Sequence, residues 1–185
     1  MAKLVWLPRS IAFCCGLVLT GHLALPLVAP AEQVEQVEPM ASGDNVSAYL
    51  DLIARAEGTG NRYDVMFTGK RFQDFSDHPR QRHTGIINGR RITSTAAGRY
   101  QFLDKTWDRI ARKKRLQDFS PTSQDVAAIA LIEEAGALTD VEAGDFAMAM
   151  GKTCRIWAGL PCRAGDKQGA YGQNPRSWDE LLQRR

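Results

Sequence analysis

The sequence predicts an α+β domain that is mostly helical, with one small antiparallel β region after its first helix. Apolar residues recur at helical spacing through most of the chain from position 47, and Asn88-Gly89 separates two short β-type runs. The 185 residues, 44% apolar and 24% charged, suffice for one domain with a core. This composition excludes a disordered or fibrous chain.

The charge balance indicates no nucleic-acid partner. A formal net charge of +3 is small and evenly spread, which is not typical of a dedicated nucleic-acid-binding domain. Residues 45–185 hold 22 basic and 17 acidic side chains. This mild excess favours an anionic surface such as a bacterial cell wall, or serves only solubility.

The first 31 residues have the outline of an export signal. Lys3 and Arg9 precede an apolar stretch, no acidic residue is present, and residues 29–31 give a small-residue ending. Pro26 and two polar residues interrupt the stretch, which makes it a poor permanent membrane span. Two interpretations remain open: a cleaved signal peptide, or a weakly apolar anchor that touches the membrane transiently before release. Both predict a domain exported to the periplasm or cell wall.

Residues 32–45 predict an acidic flexible tether, and residues 46–185 the folded domain. Two of the four cysteines, Cys154 and Cys162, lie in this domain, eight positions apart. In an exported chain such a pair predicts a short disulfide, although two unpaired small apolar side chains would fit the sequence as well.

The first predicted helix begins with Ser47 as N-cap and ends at Glu57, before Gly58. Residues 62–93 then predict a small antiparallel region, in which residues 85–87 pair with residues 90–92 across the Asn-Gly turn. The remainder is predicted to be helical, with a central buried helix around residues 126–132. Helix starts are predicted near Asp104, at Ser120-Pro121, at Thr139 with Glu142, at Asp145, and at Ser177 with Glu180.

Glu57 is the candidate catalytic residue. It ends a helix against a glycine-rich turn, where apolar neighbours could shield the carboxyl group while its oxygens still reach a cleft. Shielding raises the pKa of a carboxyl group, and a protonated glutamic acid is what cleavage of a glycosidic bond requires. From the pattern alone, a solvated helix-end glutamate remains the alternative.

Several rare strings occur in one order along the chain: ARAEGT (54–59), YDV (63–65), FQDFSDHPR (72–80), STAAGRYQ (94–101), DFSPTSQD (118–125) and IWAGLP (156–161). Over about residues 48–182 the chain therefore resembles the lambda-type phage endolysins, which are peptidoglycan lytic transglycosylases of glycoside hydrolase family 104. The resemblance implies a lysozyme-like fold and places the family's catalytic acid on Glu57.

The resemblance also implies substrate-binding residues. The family's tyrosine-glycine-glutamine string falls on Tyr171 to Gln173, and Tyr100 and Gln101 are implied to line the same cleft. Tyrosine rings suit stacking on sugars and glutamine amides suit bonds to N-acetyl groups, although either tyrosine could instead belong to the core. Trp157 is expected to pack in the core. The leader, and the longer stretch 162–169 before Tyr171, depart from the family pattern.

In the implied reaction, one glutamate acts as acid and then as base at the MurNAc-GlcNAc bond, and the product ends in 1,6-anhydro-MurNAc. The partner is then the peptidoglycan glycan strand, and the enzyme is expected to be a monomer. A hydrolytic muramidase would need a second carboxylate, for which Asp64, Asp74 and Asp77 are candidates. A non-catalytic glycan-binding domain is a further alternative.

No cofactor or metal ion is expected. Asp74, Asp77 and His78, with His83 nearby, form an oxygen-rich group, but the spacing completes no metal motif. Asp64 and Asp77 are instead expected to hold loops by accepting hydrogen bonds from backbone or arginine donors.

Overall fold

The computed structural model describes residues 42–167 and 175–183. In this part of the chain six helices accompany a two-stranded sheet: α1 (Ser42–Ala56), β1 (His83–Ile87), β2 (Arg90–Ser94), α2 (Asp104–Lys114), α3 (Pro121–Glu134), α4 (Leu138–Glu142), α5 (Phe146–Thr153) and α6 (Trp178–Gln183). The predicted leader and most of the predicted tether lie outside the described residues. None of the described helices is long and apolar enough to cross a bilayer.

Helix α1 begins earlier than predicted. Its first turn includes residues 42–45, which the sequence assigned to the tether, and Ser47 lies inside the helix instead of capping it. The earlier start depends on a tertiary contact, because the buried Asn45 side chain donates to the backbone oxygen of Glu142 at 2.9 Å. This bond holds the first turn of α1 against the end of α4.

The predicted hairpin is confirmed. Strands β1 and β2 are antiparallel, with Ile87 opposite Arg90. Asn88 and Gly89 between them have φ angles of 49° and 74°, the two positive values that a type I′ turn requires. The stretch before the hairpin forms no extended strand, because a 3₁₀ turn at Phe67–Gly69 reverses the chain and leaves only isolated bridges.

Helix α3 is the central helix, as predicted, and begins with Ser120 as N-cap followed by Pro121. Its fully buried Gln124 accepts from the backbone N–H of Arg99 at 2.9 Å and donates to the backbone oxygens of Tyr63 and Phe119. A side chain at Gly98 would lie 2.3 Å from the Gln124 oxygen. Glycine at 98 therefore lets the loop before α2 approach α3.

An aromatic cluster fills the space between the β region and helices α2 and α3. Trp107 contacts Phe119 with ring centroids 4.6 Å apart, and Phe72, Phe102 and His78 pack around Phe119 at 4.9–6.3 Å. Such pairs contribute about 0.5–1.5 kcal/mol each beyond the burial of their area. The cluster fixes the loop that carries residues 95–103 into the site.

Two further caps are confirmed and one is wrong. Asp145 accepts from the backbone N–H of Met148 at 3.0 Å, and Ser177 from that of Glu180 at 3.1 Å. Thr139 lies inside α4, whose N-cap is Ala137, because the helix begins soon after the left-handed turn at Gly136. Thr139 and Glu142 therefore form no capping box, although their spacing predicted one.

Cys154 and Cys162 are joined by a disulfide, with their Cα atoms 5.3 Å apart. The bond fastens the segment after α5 to the end of that helix. This segment contains residues 156–159, which form part of the site described below.

Replacing both cysteines by alanine is expected to lower the free energy of unfolding by about 2 kcal/mol, because the unfolded chain loses its cross-link. Urea unfolding in oxidising buffer measures the change. The wild type unfolded with reductant should match the double variant, and the variant should not respond to reductant. Equal stability of the oxidised wild type and the double variant would contradict this expectation.

Candidate active site

Glu57 lies at the C-cap of α1. Gly58 has a φ angle of 71°, its N–H donates to the backbone oxygen of Arg55 at 3.1 Å, and the N–H of Thr59 donates to that of Ala54 at 3.1 Å. These two bonds form a Schellman motif, the usual glycine-dependent end of a helix. The helix therefore ends at Ala56, one residue earlier than predicted, and leaves Glu57 at the start of the turn.

A cleft of about 590 Å³ opens beside Glu57. Four parts of the chain form it: the end of α1, the β hairpin, the loop before α2, and the segment after α5. The residues that line it are Ala56, Glu57, Phe67, Ile87, Asn88, Ile92, Thr93, Ser94, Ala96, Gln101, Leu103, Ile156, Trp157, Ala158 and Gly159. Glu57 and residues of the β hairpin thus line the same cleft.

The Glu57 carboxyl group is held by one backbone donor. The N–H of Gly159 donates to Oε1 at 3.1 Å. Burial raises the pKa of Glu57 from its ordinary value near 4.5 to about 7, and the Gly159 bond moderates this rise. Near neutral pH the side chain therefore exists in both its protonated and its ionised form.

Only glycine fits at position 159. A Cβ atom there would lie 2.3 Å from the backbone oxygen of Ala56 and 3.2 Å from the backbone nitrogen of Glu57. The segment after α5 thus packs directly on the backbone of the helix end. This close approach is what brings the Gly159 N–H to the carboxyl group.

The three aspartates considered as second carboxylates do not line the cleft. Asp64 accepts from Nε of Arg71 at 2.7 Å, and Asp77 pairs with Arg80 at 2.9 Å. Asp74 accepts from the backbone N–H of Ser76 at 2.8 Å. Asp64 and Asp77 therefore have the loop-holding role that was predicted, and Glu57 is the one acidic side chain among the described residues of the cleft wall.

Arg99, in the loop before α2, joins this loop to helices α1 and α3. Its buried guanidinium forms an ion pair with Asp51 on α1, lies 3.7 Å from Asp125 on α3, and donates to the hydroxyl oxygens of Tyr63 and Tyr100 at 2.9 Å. The hydroxyl of Thr59, in the turn after Glu57, donates to the backbone oxygen of Arg99 at 2.9 Å. This network fixes the turn against the rest of the domain.

Tyr100 does not have the substrate-binding position implied for it. Its ring is fully buried, and its hydroxyl donates to Asp125 at 2.6 Å. Burial, with this bond to Asp125, raises the pKa of its phenol. A ring enclosed on all sides cannot stack on a sugar, so the structure places Tyr100 in the core, the alternative that the sequence left open.

Gln101 and Trp157 both line the cleft. Gln101 has a positive φ of 48°, and its amide nitrogen donates to the backbone oxygens of Val65 and Gly98. Its side-chain oxygen has no donor among the described residues. Trp157 is 3% exposed and donates from Nε1 to the backbone oxygen of Tyr100 at 3.1 Å, which agrees with its predicted packing role.

Tyr171 and Gln173, the other implied substrate-binding residues, lie outside the described residues, so their placement stays a prediction. Sequence reasoning missed several cleft residues, among them Asn88, Thr93 and Ser94. The Asn-Gly turn located Asn88 within a hairpin, but no local pattern indicated that the hairpin faces Glu57.

The group Asp74, Asp77 and His78 is engaged in protein contacts. Nε2 of His78 lies 2.9 Å from the backbone oxygen of Phe102, and Nδ1 accepts from the backbone N–H of Arg80 at 3.0 Å. Burial lowers the pKa of this imidazole, which favours its neutral form. Among residues 42–167 and 175–183, no three His, Cys, Asp or Glu side chains are grouped as metal ligands.

Comparison with known proteins agrees with this geometry. The family model described as Endolysin matches residues 47–184. The chain is 41% identical to the endolysin of Escherichia phage lambda over 143 residues, which cover 73% of this chain and 85% of the relative. It is 41% identical to the endolysin of Escherichia phage P2 over 152 residues, which cover 75% of this chain and 88% of the relative.

Two solved structures are similar. Bacteriophage lambda lysozyme complexed with a chitohexasaccharide has a TM-score of 0.64 at 39% identity, covering 75% of this chain and 89% of that chain. A second structure of lysozyme from bacteriophage lambda has a TM-score of 0.58 at 39% identity, covering 64% and 80%. The lysozyme-like fold implied by the sequence is confirmed. The chain belongs to the Endolysin family, the phage glycosidases that cleave bacterial peptidoglycan.

Proposed function

We propose that this endolysin is a lytic transglycosylase that cleaves the MurNAc-GlcNAc bond with Glu57 as its single catalytic carboxyl group. The observation that carries the proposal is the cleft wall, where Glu57 is the one acidic residue among those described. A hydrolase with two carboxylates would hold the second about 5 to 9.5 Å from the first. The similar structure of bacteriophage lambda lysozyme is a complex with a chitohexasaccharide. This complex supports a glycan as the ligand of the cleft.

The bond to Gly159 assigns roles to the two oxygens of Glu57. Because Oε1 accepts from the backbone N–H, the neutral acid carries its proton on Oε2. This proton passes to the glycosidic oxygen as the bond from C1 of the muramyl residue breaks. The C6 hydroxyl of the same residue then bonds to C1 and returns a proton to Glu57, so the product is a 1,6-anhydro ring and no water is consumed. The N–H of Gly159 stabilises the carboxylate between these steps.

The mass of the digestion products tests this reaction. Purified sacculi digested by the wild type are expected to release disaccharide peptides one water lighter than hydrolytic products. Glu57→Gln should lower the rate about a thousandfold or more, because an amide supplies no proton. The exposed Glu142→Gln variant is the matched control and should digest normally. Ordinary reducing ends would assign the enzyme to the hydrolytic muramidases, and full activity of Glu57→Gln would exclude Glu57 as the acid.

The pH dependence of stability tests the burial of Glu57. The folded pKa near 7 lies above the unfolded value, so the unfolded chain releases this proton first and wild-type stability falls as pH rises from about 4.5 to 7. Glu57→Gln has no such loss. Compared with its stability difference from the wild type near pH 4, the variant should gain about 3 kcal/mol relative to the wild type above pH 7. Urea unfolding at each pH measures this, and a pH-independent difference would contradict it.

The proposal includes export to the periplasm by the N-terminal segment, as a cleaved signal or as a released anchor, with action there as a monomer. The basic start and small-residue ending of residues 1–31 support it. Fractionation followed by N-terminal sequencing should find the protein in the periplasm, either starting after position 31 or intact. Retention of all the protein in the cytoplasm would contradict this part of the proposal.

A further inference from the structure

A second pocket, of about 440 Å³, adjoins the catalytic cleft. The two share Gln101, Leu103, Ile156 and Trp157 as lining residues. From this common wall the second pocket extends between α2 and the end of α5. A substrate strand bound beside Glu57 could therefore place one of its substituents in the second pocket.

The two cavities differ in charge. Glu57 is the one ionisable residue described in the cleft wall, whereas the second pocket is lined by Arg109, Lys152 and Arg155 with Glu134. A neutral glycan needs no such cations. Two arginines in one pocket, Arg109 and Arg155, suit a ligand that carries carboxylates.

Arg109 has donors available for such a ligand. Its Nη1 contacts both oxygens of Glu134, at 2.9 and 2.8 Å, and its side chain is 51% exposed. Within the described part of the chain, its Nη2 and Nε atoms form no hydrogen bond. The guanidinium can therefore keep its bond to Glu134 and still donate to a carboxylate. The Lys152 ammonium instead donates to the backbone oxygen of Gly136 and to the Asp140 carboxylate, so Lys152 has a structural role.

We propose that this second pocket binds the anionic stem peptide of peptidoglycan. The peptide is attached to the lactyl group of N-acetylmuramic acid, next to the bond that is cleaved, and it supplies free carboxylates. The inference rests on the proposed function, since it takes the adjoining cleft as the glycan site. The inferred site would recognise glycan strands that carry stem peptides, and Arg109 and Arg155 are the residues that contact the peptide.

The test compares two substrates: intact sacculi, and the same sacculi after an amidase has removed the stem peptides. Arg109→Met and Arg155→Met should each lower kcat/KM about tenfold on the intact substrate, because a charged hydrogen bond is lost, and should leave cleavage of the stripped strands unchanged. Total strand cleavage is measured, so the result does not depend on whether the new ends are anhydro or reducing. The product masses separately report on the proposed function.

Lys113→Met is the matched control. Lys113 is on the same helix as Arg109 and also contacts Glu134, at 2.8 Å, but it does not line the second pocket. Its loss removes the same charge and should change neither substrate's rate. Arg109→Gln is a second variant at the same position. Thermal melting of every variant separates loss of the peptide contact from loss of the fold. Equal losses on both substrates, no loss on either, or an equal effect of Lys113→Met would each overturn the inference.

Discussion

The site depends on the hydrogen bond from the backbone N–H of Gly159 to the Glu57 carboxyl group. It forms because the segment after α5 packs directly on the backbone of the α1 C-terminus, where a Cβ at position 159 would meet the backbone oxygen of Ala56 at 2.3 Å. A backbone donor costs no side-chain entropy and cannot rotate away. It therefore orients the carboxyl group of Glu57. Burial alone would favour the protonated form of this group but would not fix its orientation.

Both sides of this contact are held in place by further bonds. On one side, the Schellman motif at Gly58 ends α1, and the bond from Thr59 to the backbone of Arg99 holds the turn. On the other, the Cys154–Cys162 disulfide joins the segment to α5, and Trp157 bonds to the backbone of Tyr100. The adjacent residues Arg99 and Tyr100 thus support both sides through their backbone oxygens, and the Arg99 side chain also ties α1 to α3. Rigid support of this kind keeps the carboxyl group in place as its charge changes.

The charged side chains around the site are divided between the two cavities. The cleft wall is almost uncharged, so little competes with Glu57 for protons or shifts its pKa further. The positive side chains lie in the adjoining pocket. This pocket shares four lining residues with the cleft: Gln101, Leu103, Ile156 and Trp157. An arginine placed directly beside Glu57 would favour its ionised form and weaken it as an acid.

The features that depend on local backbone geometry can be predicted from the residue types alone. Asn88-Gly89 specifies a type I′ hairpin, Gly58 ends α1, and Ser120-Pro121 opens α3, because each residue type favours one backbone conformation. The strings shared with the endolysins identified the fold and implied Glu57 as the candidate acid. Tertiary structure decided the rest: the extra first turn of α1 depends on Asn45 meeting α4, and Tyr100 is enclosed because Asp125 and Arg99 meet its hydroxyl. Such contacts join residues far apart in the chain, and no local pattern records which partner a side chain will meet.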